Sequence, residues 1–232
     1  MKRSTVRGFT LVELLTVIVI ITVLTSLVIG VSSLAHRNAA MHRATGEIAA
    51  LSSACENYRS DNGSYPRLAG VTEPTAIAGT DFLDPRKDAV PTGSGTTAKK
   101  YQLASQFLYE ELSGDKVDRD FRPNANEKTY YEFKPDMLNT QKKDGKVILV
   151  NWIQDPWGNC YGYSTGYAFQ EQVYADALRS KASANRLTEV GPPVGYNSTF
   201  DLWSTGGSNR ADAPDGGAPG PFKDSPKWVK NW

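Results

Sequence analysis

The apolar positions of this chain follow two different rhythms, one after the other. From Leu14 to Ala35 there are 22 residues without a formal charge, mostly Leu, Val, Ile and Thr. A run of that length is enough to cross a bilayer core as a helix. Glu13 stands just ahead of it, and a carboxylate in lipid is costly without a partner or a function. Past His36 the rhythm changes. Met41, Ala44, Ile48, Leu51, Cys55 and Tyr58 recur at helical spacing and form one stripe, with Arg43, Glu47, Ser53, Glu56 and Asn57 expected on the opposite face. No proline interrupts residues 9–59. The pattern therefore predicts a single helix about 77 Å long, with Gly30 and Gly46 as its weak points. Asp61-Asn62-Gly63 supplies turn chemistry at its end.

The rest of the chain is mixed. Residues 66–100, rich in Pro, Gly, Thr and Asp, read as a surface loop. A short helix is expected over Tyr101–Leu112, burying Leu103, Ala104, Phe107, Leu108 and Leu112, and stopped by Ser113-Gly114-Asp115. Strands are expected at Thr129–Phe133 and, after the Asp144-Gly145 turn, at Lys146–Trp152. A further helix is expected from Gln170 to Leu187, with Val173, Ala177 and Leu178 facing inward. The fold class is thus α+β, a small antiparallel sheet resting on the lower stripe of the long helix, with too little length for a second core.

Charge narrows the function. The formal net charge is +1, and Lys2, Arg3 and Arg7 contribute +3, so residues 9–232 stand near −2. No basic patch points to nucleic acid. His36 and His42 are six apart and do not share a helix face. No phosphate loop, nucleophile elbow or His/Cys cluster is present, so the chain reads as a structural protein and not an enzyme. Three readings of the N-terminus fit the pattern: a cut secretory signal ending at Ser33-Leu34-Ala35, an uncut anchor, or a short leader ending at Gly8. In all three, the basic leader stays in the cytoplasm and the remainder is exported. An exported compartment permits a Cys55–Cys160 disulfide; two separate buried thiols are the alternative.

The string Arg7-Gly8-Phe9-Thr10-Leu11-Val12-Glu13-Leu14-Leu15 resembles the processing site of type IV pilins and type II secretion pseudopilins. The resemblance implies that a prepilin peptidase cuts after Gly8 and methylates Phe9. It also implies that Phe9 and Glu13 serve subunit assembly, the amine of one subunit pairing with Glu13 of the next. Tyr58-Arg59-Ser60-Asp61-Asn62-Gly63-Ser64-Tyr65-Pro66 resembles the helix exit of major pseudopilins. Asp155-Pro156-Trp157-Gly158-Asn159-Cys160-Tyr161 resembles their tight turn, with Cys160 where proline is usual and Trp157 expected to plug the core. Phe200-Asp201-Leu202-Trp203-Ser204-Thr205-Gly206-Gly207 resembles the strand entering their calcium loop, and Asn231-Trp232 their terminus. Residues 167–197 form an insertion without a counterpart.

By that resemblance the chain is closest to the G-type, major pseudopilin. The implied domains are a leader (1–8), a membrane and polymerisation half of the stem helix (9–35) and a periplasmic pilin-like head (36–232). The implied function is a subunit of a periplasmic pseudopilus that supports type II protein secretion. The alternatives are a type IV pilin or minor pilin of a surface filament for adhesion, motility or DNA uptake, and a membrane-anchored binding domain that never polymerises. The implied partners are copies of itself, minor pseudopilins, the prepilin peptidase and the inner-membrane assembly platform, with no nucleic acid. The implied location is the inner membrane, spanned once with the N-terminus cytoplasmic and the head periplasmic. The implied cofactor is calcium, held in the loop 208–224 by Asp212 and Asp215, with Asp201 and Ser204 as less favoured donors because they belong to the strand entering it.

Overall fold

The structure is a computed structural model that describes residues 10–68, 80–81, 83–86, 88, 96–181, 183–192, 194–206 and 228–232, with the side chains of 27–34, 96 and 97 left out. Its long helix, α1, runs Leu11–Asn62. The fold divides into two units, one up to Ala40 and one over Met41–Trp232. The helix ends as its sequence dictates. Gly63 takes a left-handed φ of +76° and donates its N–H to the Arg59 carbonyl at 2.8 Å, an arrangement glycine adopts without steric cost.

The second unit holds α2 (Thr96–Ser113), a 3₁₀ turn (Pro135–Met137), β1 (Leu138–Lys143), β2 (Lys146–Ile153), β3 (Gly162–Ser164), α3 (Gly166–Ser180), α4 (Arg186–Val190), β4 (Asp201–Ser204) and β5 (Val229–Lys230). β1 and β2 form an antiparallel hairpin across Asp144-Gly145, both at positive φ, as the turn signal predicts. The other sheet is antiparallel in the order β3-β4-β5. This is an α+β architecture with an N-terminal helix and small antiparallel sheets, consistent with the type IV pilin-like fold.

The lower α1 stripe packs as its periodicity predicts. Ala44, Ile48, Leu51 and Cys55 are buried among Leu108, Leu112, Val150, Ile153, Tyr161, Tyr163 and Leu202. β4 is buried along its whole length. Leu202 faces this cluster, while its neighbour Trp203 faces a second one with Leu83, Tyr101, Ala104, Cys160 and Trp228. Successive strand residues point to opposite faces, so β4 joins the two clusters within this one unit.

Several expectations are corrected. Glu47 is not on the solvent face but buried: its Oε1 pairs with Arg43 Nε at 2.6 Å, and the Tyr161 hydroxyl donates to its Oε2 at 2.6 Å. Around the helix it stands about 40° from Leu51 and about 20° from Tyr58, so it flanks the stripe instead of opposing it. Residues 129–133 form no strand; the N–H groups of Tyr130 and Tyr131 both donate to the Leu112 carbonyl at the end of α2. β1 went unread because Leu-Asn-Thr-Gln-Lys-Lys carries no alternating apolar set. α2 starts earlier than expected and turns a different face inward: Tyr101, Tyr109 and Ser105 are buried beside Ala104, Leu108 and Leu112, with Leu103 and Phe107 half-exposed.

The 170–187 helix is instead α3 and α4. Gln170 is its buried anchor, donating to the Val190 and Pro192 carbonyls at 3.1 and 3.0 Å and accepting from Val194 N at 2.9 Å, while Leu178 is exposed. Trp157 is half-buried at the rim of the first cluster and does not plug it; Tyr161 and Tyr163 are the fully buried aromatics there. The two cysteines are free and buried in different clusters, and burial pushes both thiols up.

Gly162 pairs across the sheet with Trp203, whose ring lies directly on it; a Cβ there would come within 2.2 Å of the indole. The indole cannot retreat easily, because its N–H donates to the Tyr101 hydroxyl at 3.0 Å inside the second cluster. Gly162→Ala is therefore expected to lower stability by about 1–3 kcal/mol through overpacking. Chemical denaturation of the full chain in detergent measures it, and an unshifted midpoint would contradict the packing described.

Candidate functional site

The first turn of α1 is a capping box. Thr10 is the residue before the helix and Glu13 lies three further on. The Thr10 N–H and hydroxyl both donate to Glu13 Oε2, at 2.9 and 2.8 Å, and the Glu13 N–H donates back to the Thr10 hydroxyl at 3.3 Å. Two otherwise orphaned N–H groups of the helix start are satisfied reciprocally. The negative charge also sits at the positive end of the helix dipole. Glu13 itself is exposed. Gly8 and Phe9, the expected cleavage and methylation residues, lie outside the described residues.

Beyond this cap the helix surface is apolar all round. Leu11, Leu14, Ile18, Ile21 and Leu24 are all more than half exposed. The hydroxyls within this stretch do not break its apolar character. Thr16, Thr22, Thr25 and Ser26 donate to the carbonyls of Val12, Ile18, Ile21 and Val23 at 2.7–2.9 Å. Each polar group is thereby spent on the helix's own backbone, which suits a surroundings that offers no hydrogen bonds. Among the described residues no helix is long and apolar enough to cross a membrane. In the upper part of α1 the described side chains are those of residues 11–26.

The second candidate region is the entrance to residues 208–224. Asp155 is buried and organises the tight turn: its Oδ1 accepts from Trp157 N at 3.0 Å and Asn159 N at 2.8 Å, and Gly158 closes the turn at φ +85°. Its Oδ2 accepts from the Ser204 hydroxyl at 2.5 Å, which ties the turn to the end of β4. Burial pushes the Asp155 carboxyl up, against the three hydrogen bonds it accepts. Asp201, also buried, accepts from Asn197 N at 2.9 Å and Tyr196 N at 2.8 Å, and burial raises its pKa to about 6. Gly195 is required beside it, since a Cβ there would meet Asp201 Oδ2 at 2.1 Å.

Asp201 and Ser204 thus hold different partners, the 195–197 turn and Asp155, and are not brought together by these contacts. Asp212 and Asp215 lie outside the described residues. Asn231 clasps the same strand: its Oδ1 accepts from Leu202 N at 2.9 Å, and Trp232 stacks on Tyr196 at 4.8 Å. The buried Glu47, with Arg43 and Tyr161, is the polar group that sequence reasoning placed on the wrong face.

Residues 3–29 match the family model for the prokaryotic N-terminal methylation motif. No curated protein and no solved structure matches the chain. The motif is a type IV pilin-like prepilin signal. It supports a structural subunit of a filament, processed by a prepilin peptidase, over an enzyme.

The Ser204–Asp155 contact gives a direct test of the turn's role. Ser204→Ala removes the donor and leaves Asp155 Oδ2 buried and unpaired. The expected cost is about 1.5–3 kcal/mol, the range for hydrogen bonds to charged groups. Thermal melts of the variant beside the parent measure it; equal midpoints would mean the turn does not depend on that bond.

Proposed function

We propose that this chain is the major subunit of a periplasmic pseudopilus that supports type II protein secretion. The observation that carries the proposal is the all-round apolar helix Leu11–Ser26, headed by Glu13 inside a prepilin motif. Such a surface must be covered, first by lipid and then by like helices of neighbouring subunits. In the membrane the Thr10–Glu13 box keeps the carboxylate hydrogen-bonded within its own chain. In the filament, Glu13 exchanges that cap for the Phe9 amine of the next subunit, which offsets the desolvation of both charges and fixes axial register.

The Asp155 turn and the Asn231-Trp232 clasp favour the secretion system over a surface pilus. The assembly partners are further copies, minor pseudopilins and the inner-membrane platform. The N-terminus lies in the cytoplasm and the head in the periplasm. The α3–α4 insertion, pinned by Gln170, favours the second reading, a surface pilin with a contact of its own. Deleting the gene separates the two. Loss of exported proteins from the medium supports the pseudopilus, and loss of surface filaments with secretion intact supports the pilin.

Intact-mass measurement of the membrane-purified protein is expected to show a chain beginning at a singly methylated Phe9. Glu13→Ala is expected to reach the membrane yet give far less sheared filament than the parent. A chain still beginning at Met1, or wild-type filament yield from Glu13→Ala, would overturn the assembly mechanism.

The proposal includes calcium in the 208–224 loop, with Asp212 and Asp215 as carboxylate donors. Ordering a glycine-rich loop costs backbone entropy that an ion can offset. The Asp212→Ala, Asp215→Ala variant is expected to bind one calcium fewer than the parent by titration calorimetry after chelator treatment. Equal stoichiometry would leave the loop as acidic surface.

A further inference from the structure

The loop between α2 and the β1–β2 hairpin gathers three acids, Asp115, Asp118 and Asp120. Each presents a carboxylate oxygen, and the three oxygens lie within 4.8 Å of one another. Negative charges this close repel strongly unless a positive charge sits among them. The neighbouring cations are largely engaged elsewhere. Lys116 pairs with Glu111 at 3.0 Å and Glu127 at 3.3 Å. Arg119 reaches Glu110 at 3.4 Å and the Val150 carbonyl at 3.2 Å. Arg122 approaches Asp120 only to 3.7 Å, from a side chain that is 78% exposed and so well screened.

A second observation separates this cluster from ordinary acidic surface. Asp115 is fully buried. Its Oδ2 accepts from the Tyr109 hydroxyl at 2.7 Å and from Phe121 N at 2.9 Å, which fixes the carboxylate plane. Its Oδ1 is buried and has no hydrogen-bond partner. A buried carboxylate oxygen left without a partner is costly, and a group that binds it removes that cost. Asp118 is exposed and Asp120 half-buried, so the cluster is open to solvent on one side.

We propose that this loop is a calcium site, with Asp115 Oδ1, Asp118 and Asp120 as the protein ligands and water completing the shell. Calcium takes 6–8 oxygens at 2.3–2.6 Å, so ligand oxygens on opposite sides of an ion stand roughly 4.6–5.2 Å apart. The three carboxylate oxygens all lie within 4.8 Å of one another, close enough to share one ion. The loop is also anchored on both sides of the cluster. Lys116 N donates to Asn124 Oδ1 at 2.7 Å, and Val150 N donates to the Arg119 carbonyl at 2.7 Å. An ion here clamps the end of α2 to the edge of β2. The site stands independently of the filament reading and of the 208–224 loop.

The test uses the full chain in detergent, stripped with chelator and then titrated with calcium chloride or terbium chloride. Tyr109 touches the site, so tyrosine-sensitised terbium luminescence is expected and calcium is expected to quench it. At calcium about a hundredfold above Kd, the melting midpoint is expected to rise by about 5–10 °C. The Asp118→Asn, Asp120→Asn variant is expected to lose one calcium equivalent and the terbium signal, while Asp212→Ala, Asp215→Ala keeps that signal. Asp115 is left intact because it also holds Tyr109 and Phe121. Should the Asp118, Asp120 variant fail to fold, hydrogen exchange on the parent decides, with calcium expected to slow exchange of the amides at 115–121. An undiminished terbium signal in the folded Asp118, Asp120 variant, or no calcium-dependent protection of those amides, overturns the site.

Discussion

Apolar helix surface left uncovered is the constraint on which this molecule depends. α1 carries two kinds of it along one continuous helix. Its first part is apolar on every side and its hydroxyls are folded back onto its own carbonyls. Its last part is apolar on one stripe, and that stripe is closed by α2, the hairpin and β4. A stripe can be satisfied within a single chain, whereas an all-round surface can be satisfied only by lipid or by other helices. The filament subunit that the N-terminal motif supports brings this same uncovered surface in every copy.

The head meets its side of the requirement through β4. With Leu202 toward the α1 stripe and Trp203 toward the second cluster, four residues connect the two clusters. Such a strand tolerates little displacement, and polar contacts hold both of its ends. Asp201 fixes the turn before it, and Ser204 ties its end to the Asp155 turn. Asn231 binds its middle from the β5 side. The strand is therefore held from Asp201 to Ser204.

What could be read in advance divides along physical lines. Periodicity located both parts of α1, and the stripe from Ala44 to Cys55 is buried as spaced. Turn chemistry located Gly63 and the Asp144-Gly145 turn, since positive φ is a local property, while the Asp155 turn was read from a resemblance. What escaped was decided by distant partners. Glu47 looks like a solvent-face acid until Tyr161, more than a hundred residues away, supplies its donor. Thr129–Phe133 has strand composition but spends its N–H groups on the end of α2. Trp157 has the volume to plug the core, yet it stays half-buried at the rim of a cluster that holds Tyr161 and Tyr163. At the start of α1, the methylation motif was legible, while the cap of Glu13 by Thr10 is a local feature that the motif conceals: residues 10–13 belong to the motif and also form a capping box.

The buried acids of the second unit show how this fold treats charge. Both oxygens of Glu47 are engaged, by Arg43 and Tyr161. Asp81 has Arg67 on both oxygens and Thr165 on one. Asp155 has two backbone donors on one oxygen and Ser204 on the other. Asp201 has a backbone N–H for each. These four carry no outstanding requirement, and each locks two segments together. Asp115 differs in kind: one oxygen is held as firmly as any of these, and the other is buried without a donor beside two further acids. Where Glu47, Asp81, Asp155 and Asp201 are completed within the chain, Asp115 leaves one oxygen for a cation to complete, at a loop whose anchors join α2 to β2.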